Sequence, residues 1–200
     1  RFVGKTTILG AGYGMGAQKF QDQLKTFGFD MELHEARRVI KIYREANHKI
    51  NKLWRDAQLF LKDGNTFGLY GVLFVEDGKI LLPSGLHLRY DDLQFTTTDR
   101  GVEFDYKTRR GRVRIYGGKI IENVCQAIAR CIIGEQMLQI AKRYRVVLTV
   151  HDSIACCVKD KEVNEAQEYI EECMRRPPEW AEGLPIDCES GKGKSYGECE

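Results

Sequence analysis

The fold turns on how RFVGKTTILGAGYGMG (residues 1–16) is read. A GKT followed by glycines at alternate positions suggests a phosphate-binding device, of which three kinds fit in part. A P-loop needs a glycine five positions ahead of Gly4 and small residues before the lysine, whereas here the small residues follow Lys5. A Rossmann fingerprint is met only in the loose form G-x-G-x-x-A, at Gly12, Gly14 and Ala17. Asp30 then stands at a suitable distance for a ribose contact, but the strand before it (6–9) is short and no βαβ alternation follows. The third reading uses the four-residue spacing of Arg1, Lys5, Leu9 and Tyr13. On a helix, four residues turn about 400° and rise about 6 Å, so these side chains form one slowly drifting stripe. Two cations, an apolar residue and a phenol in that order match the phosphates, sugar and base of a nucleoside triphosphate. Gly10, Gly12 and Gly14 leave room for a base pair to approach. Taken alone, the same spacing also describes an ordinary surface helix with two cations.

Downstream, Asp30 reads as a helix N-cap, with Glu32 and Glu35 in the first turn. Apolar residues then keep helical spacing from Leu33 through Ile40, Ile50 and Ala57 to Leu61, predicting one long helix that stops at Asp63-Gly64-Asn65. GLYGVLFVEDGKILLP (68–83) reads as a hairpin turning at Asp77-Gly78, and FTTTDRGVEFDYKTRRGRVRIYGG (95–118) as a less regular β segment. Helical spacing returns at Glu122. VVLTVHDSIACCV (146–158) predicts strand–turn–strand with His151-Asp152 at the turn, and 162–176 a last helix stopped by Pro177-Pro178. A carboxylate at a tight turn between strands is exposed and rigidly held, which suits a divalent ion, although aspartate is also a common turn residue.

Of the 200 residues, 42% are hydrophobic and 30% charged, and the net charge is +2, so the whole-chain field names no partner. Seven cysteines without a C-x-x-C fit reduced structural thiols in a cytosolic protein, and no Cys/His spacing suggests zinc. No stretch has the length of a membrane span and no signal peptide is visible. His34, His48 and His87 read as surface or capping residues, and Trp54 and Trp180 as packing residues. Lys107–Lys119 holds six Lys or Arg and no acid, a candidate phosphate track or a solvated basic strand. Because the chain begins at Arg1 inside an apparent motif, it is expected to be a piece of something longer.

Together the pieces resemble the family A DNA polymerases, the polymerase I and phage replicase group. R-x-x-x-K-x-x-x-(apolar)-x-x-x-Y-G at Arg1, Lys5, Leu9, Tyr13 and Gly14 resembles the fingers helix; ENVCQAIAR (122–130) resembles the palm helix with its minor-groove glutamine, Gln126; VHDS (150–153) resembles the palm turn. LPSG (82–85), YGGK (116–119) and GKSYG (193–197) look like phage members. The resemblance implies an α+β right-hand fold, with residues 1–115 as fingers carrying a β-rich insertion and 116–200 as part of an antiparallel-sheet palm. It implies that Arg1 and Lys5 hold the incoming dNTP and Lys5 protonates the leaving pyrophosphate. Leu9 would pack on the sugar, Tyr13 and Gly14 would flank the new base pair, Gln126 would read the minor groove, and His151 would sit near the primer end. Asp152 would be one of two aspartates carrying two Mg²⁺ ions beside a DNA primer-template, in the cytoplasm of a bacterial host for a phage-encoded enzyme.

Three positions depart from the family. Leu9 replaces the usual aromatic residue, which bears on sugar discrimination, and Ser153 replaces the usual glutamate, so no charge is added there. The partner aspartate lies upstream of the fingers helix in the family, so an N-terminal half is expected to supply it and the isolated 200 residues are expected not to polymerise. The alternatives are a single-subunit phage-type RNA polymerase, whose corresponding turn commonly reads His-Asp-Ser, and a non-catalytic nucleic-acid- or nucleotide-binding module.

Overall fold

The structure, a computed structural model, describes residues 2–63, 75–76, 78–99 and 101–199, with the backbone alone described for 60–63 and 75–76. Among them, six helices and three small antiparallel sheets make the chain α+β. It divides into two compact units, residues 1–81 with 86–125, and residues 82–85 with 126–200. Among the described residues no helix is long and apolar enough to cross a membrane.

The first unit opens with α1 (Phe2–Ala11), α2 (Ala17–Thr26) and α3 (Leu33–Ala46). Phe20, Leu24, Ala36, Ile40 and Ala11 form its buried core, with Val3, Met15, Val39 and Tyr43 packed around them. Fully burying side chains such as Phe20 and Leu24 contributes roughly 1.5–3 kcal/mol each. The Phe2 ring stacks on Phe29 at 5.0 Å and tilts against Phe27 at 4.9 Å, fastening the start of α1 to the α2–α3 connection.

The single long helix expected from Asp30 is two helices. The first is capped at Glu32, not Asp30, in a reciprocal capping box with Glu35. It ends at Asn47, whose side-chain amide donates to the Tyr43 carbonyl at 2.9 Å. The same carbonyl also accepts the Asn47 backbone N–H at 2.9 Å, and the backbone leaves helical geometry at this residue (φ −110°, ψ 46°). Helix α4 (His48–Asp63) restarts at the next residue. Gly64 and Asn65 lie outside the described residues.

Strands β1 (Val75–Glu76), β2 (Lys79–Leu81) and β3 (His87–Arg89) form one antiparallel sheet. Glu76 pairs with Lys79, which leaves a two-residue turn with Gly78 at φ 72°. Asp77 and residues 68–74 of the expected hairpin lie outside the described residues. The stretch expected as a less regular β segment forms a regular meander of β4 (Gln94–Thr98), β5 (Gly101–Thr108) and β6 (Gly111–Ile115). Its two turns repeat one device. Thr98 donates its hydroxyl to Gly101 O at 2.9 Å, and Thr108 donates to Gly111 O at 2.7 Å. Helix α5 (Gly117–Ala141) follows directly, five residues earlier than helical spacing suggested.

The second unit packs β7 (Arg145–Val150) and β8 (Ser153–Cys157), an antiparallel pair, with α6 (Val163–Arg175) and the later part of α5. Ile140, Tyr144, Ala166 and Cys173 are its buried centre. Gln136 reaches through it to the Met174 carbonyl at 2.6 Å, and the Trp180 indole donates to Glu135 at 2.5 Å. Arg175 and Glu171 tie the segment 187–190 to α6. Arg175 pairs with Glu171 at 2.7 Å and Asp187 at 3.0 Å, and Ser190 donates to Glu171.

Candidate functional site

Helix α1 divides its residues cleanly between two faces. Thr6, Gly10 and Ala11 are buried, while Lys5, Ile8 and Leu9 face solvent, with Ile8 64% and Leu9 58% exposed. Two large aliphatic side chains beside a lysine on an open helix face are not satisfied by this unit's own core. Lys5 and Leu9 thus stand on one accessible face, as the four-residue spacing requires. Ile8 belongs to that face too and was overlooked from sequence. Its position three residues after Lys5 was the available signal. Arg1, the first residue of the expected stripe, lies outside the described residues.

Tyr13 differs from expectation in being beyond the helix. The chain leaves α1 through a Schellman motif: Gly14 N–H donates to Ala11 O at 3.1 Å, Met15 N–H donates to Gly10 O at 3.2 Å, and Gly14 adopts φ 84°. The left-handed conformation explains Gly14 on backbone grounds alone. Tyr13 is the cap residue, half-buried, and its phenol is pushed above the usual tyrosine range by burial first and then by the Cys125 and Glu122 side chains.

The turn after α1 abuts the start of α5. A Cβ on Gly14 would meet the Tyr116 ring at 3.4 Å. Gly117 donates its N–H to the Gln58 side chain of α4 at 2.7 Å, and Lys119 pairs with Glu122 at 2.8 Å. Tyr116 remains 44% exposed. Gln126 is exposed on α5.

In the second unit the His-Asp turn has the form expected. Val150 pairs with Ser153, leaving His151 and Asp152 as the two turn residues, both exposed. His151 takes φ 52°, a conformation that glycine adopts more readily. The Ser153 hydroxyl donates to Val150 O at 2.9 Å and so closes the turn. Among the described residues no group of three or more His, Cys, Asp or Glu could hold a metal ion. Asp152 offers a single carboxylate.

The basic run 107–119 is less available than its composition suggests. Arg112 is bound between Asp92 (2.7 Å) and Asp105, and Arg114 pairs with Glu103. These cations face carboxylates on β5 and in the loop before β4 and are partly neutralised by them. Arg112 in turn holds Asp92 below the usual carboxylate range, by hydrogen bonding chiefly. Arg109 and Arg110, at the β5–β6 turn, are exposed and have no side-chain ion pair among the described residues.

No protein-family model matches the chain, and no solved structure matches it. It is similar to a DNA polymerase of Bacillus phage SP02, with 31% identity over 208 residues. The match takes in 93% of this chain and 31% of that protein, so the chain spans about a third of the length of the curated relative.

Proposed function

We propose that the chain is the C-terminal fingers and palm portion of a template-directed DNA polymerase of the family A type, phage in character. Support comes first from similarity to a phage DNA polymerase along 93% of the chain. The open Lys5–Ile8–Leu9 face, the Tyr13-Gly14 cap and the Asp152 turn supply residues suited to that work.

Lys5 neutralises the incoming triphosphate and delivers a proton to the leaving pyrophosphate. Ile8 and Leu9 line the approach for the sugar, and Tyr13 and Gly14 border the nascent pair. Gln126 donates to minor-groove acceptors, which lie at similar places in every correct pair. His151 positions the primer end. Magnesium is commonly held by one or two carboxylates together with substrate phosphates, so Asp152 fits one share of a site completed by an aspartate outside these residues. A magnesium pair, when bound, activates the primer hydroxyl and stabilises the leaving oxygen.

The test is primer extension. The complete polymerase with Asp152→Ala is expected to lose turnover while keeping its affinity for primer-template, and the isolated 200-residue chain is expected to bind DNA without extending it. Extension by the isolated chain, or unchanged turnover in the Asp152 variant, would contradict the proposal. Supplying ribonucleotides in place of deoxynucleotides distinguishes an RNA polymerase.

A further inference from the structure

The fold redistributes the charge of the basic run 107–119. Of its six cations, three are engaged by carboxylates: Arg112 by Asp92 and Asp105, Arg114 by Glu103, and Lys119 by Glu122. Lys107 lies within the electrostatic reach of Asp92. Charge is thus offset along the root and flanks of the β5–β6 hairpin and left standing at its tip, on Arg109 and Arg110. The root is anchored by the buried Phe104 and Ile115, whereas every residue from Arg109 to Arg114 is exposed.

The two turns of the meander form an internal comparison. In sequence they read Thr-Asp-Arg-Gly (98–101) and Thr-Arg-Arg-Gly (108–111). Both are closed by the threonine hydroxyl on the glycine carbonyl, at 2.9 and 2.7 Å, and the two glycines share one conformation, φ 115° and 117°. The same device therefore accepts Asp99 in one turn and Arg109 in the other. Aspartate is an ordinary turn former, so the fold itself does not call for arginine at residue 109. The Thr108 hydroxyl also accepts the Arg110 N–H at 3.2 Å, which fixes the turn beneath both side chains. Neither guanidinium has an ion pair or hydrogen bond among the described residues. Tyr106 is the one aromatic residue between 105 and 115, and its ring packs edge-on against Tyr90 at 5.2 Å.

We infer that the β5–β6 tip is a phosphate contact for duplex DNA, made by the Arg109 and Arg110 guanidiniums on the sugar-phosphate backbone without contact to the bases. A guanidinium is a fixed fork of donors that matches phosphate oxygens. Contacts of this kind hold a protein in place on a duplex and carry no sequence information. A duplex suits the tip better than a single strand, since it bears a charge about every 1.7 Å of axis against about 3.4 Å for one strand. No ring at the tip is free to stack an unpaired base, as single-strand sites require. The assignment rests on the proposed function in naming DNA as the anion, and it concerns residues that take no part in the chemistry.

The test is fluorescence anisotropy of this chain with a fluorescein-labelled blunt DNA duplex of roughly 20 base pairs, about two helical turns, over a series of salt concentrations. The double variant Arg109→Ala, Arg110→Ala is expected to bind at least about fivefold more weakly at low salt. It should also shallow the dependence of log affinity on log salt by about 1.8, since each lost duplex phosphate contact removes about 0.9 from the slope. Arg109→Lys with Arg110→Lys should keep the slope, because the charges remain. Arg109→Asp, which copies the opposite turn, should keep the melting temperature and still lose affinity. The control Lys25→Ala, Lys49→Ala removes equal charge from exposed positions in the same unit and should bind as the parent does. Failure of the parent chain to bind the duplex, an unchanged slope in the alanine variant, or an equal loss in the control would overturn the inference. So would a larger loss on the corresponding single strand, or equal competition by polyglutamate. If the tip variants bind the duplex normally while Asp152→Ala abolishes extension by the complete enzyme, the tip assignment falls and the polymerase proposal stands. If Asp152→Ala leaves extension intact while the tip variants lose the duplex, the reverse holds.

Discussion

The carbonyl oxygen of Tyr13 lies 2.9 Å from the point that a Cβ on Gly118 would occupy. The cap of the first helix and the first turn of α5 therefore meet as bare backbone. A methyl group at residue 118 must displace a carbonyl, not the end of a flexible side chain. Glycine to alanine in a helix ordinarily gains about 1 kcal/mol, whereas overpacking costs about 1–3 kcal/mol. Gly118→Ala is expected to lower the melting temperature. Gly134→Ala, on the same helix with open space around it, is expected to raise it. Thermal melts of the two variants separate the contributions.

Lys5→Ala should leave the fold alone, because the side chain is exposed; its denaturation midpoint should correspond to a change within about 0.5 kcal/mol. On the proposed function, in which Lys5 is a proton donor, its loss from the complete polymerase should lower kcat by roughly 10²–10⁴-fold with primer-template affinity little changed. Steady-state kinetics alongside DNA titration checks both halves.

His151→Gly should behave oppositely. A non-glycine residue held in the left-handed region costs roughly 1–2 kcal/mol, and glycine removes most of that cost. Urea denaturation of the chain should show a gain of up to about 1 kcal/mol, smaller because histidine tolerates this region better than most residues. Primer extension by the complete enzyme should fall. A turn that becomes more stable while working less well points to a histidine kept for its chemistry.

Acid should loosen the segment 187–190. Hydrogen bonds from Ser190 and Arg175 hold Glu171 below its ordinary value of 4.5, and Arg175 together with the Cys188 amide holds Asp187 below 3.8. Both carboxylates are depressed in the folded chain, so their contribution is present above those ordinary values and lost as pH falls through the lower folded ones. Amide exchange or limited proteolysis should show the segment protected at neutral pH and opening progressively as pH falls below the ordinary carboxylate values of 4.5 and 3.8. Arg175→Ala should expose it at both. Because Asp187 is solvent-exposed and Glu171 half-buried at the surface, the effect is local opening, not unfolding.

What the sequence made legible was chiefly turn chemistry. His151-Asp152 between apolar runs located the β7–β8 turn, and Asp77-Gly78 located the connection whose register is fixed by Glu76 and Lys79. Interruptions of helices by local hydrogen bonds escaped notice. Apolar spacing runs unbroken through residue 47, and nothing in that spacing reveals a backbone that turns out of the helix at Asn47, whose amide N–H and side chain both bond the Tyr43 carbonyl. The Lys5–Leu9–Tyr13 stripe was followed one turn too far for the same reason, since a Schellman ending is a backbone event signalled only by Gly14. The β segment 95–118 is legible, but its regular three-stranded pairing is not, because its turns place glycine after the two connecting residues, not among them, at Gly101 and Gly111. The basic run looked more available than it is because its counter-charges, Asp92, Asp105 and Glu103, come from neighbouring strands and an earlier loop.

The closeness of Cys125 to the Tyr13 phenol has a practical use. Its thiol is exposed, whereas Cys131 and Cys173 are buried. With Cys157 and Cys199 replaced by serine, the two other exposed thiols are gone. On the proposed function, an environment-sensitive fluorophore attached at residue 125 would then report, in real time and without radiolabel, the arrival of a nucleotide beside the helix cap.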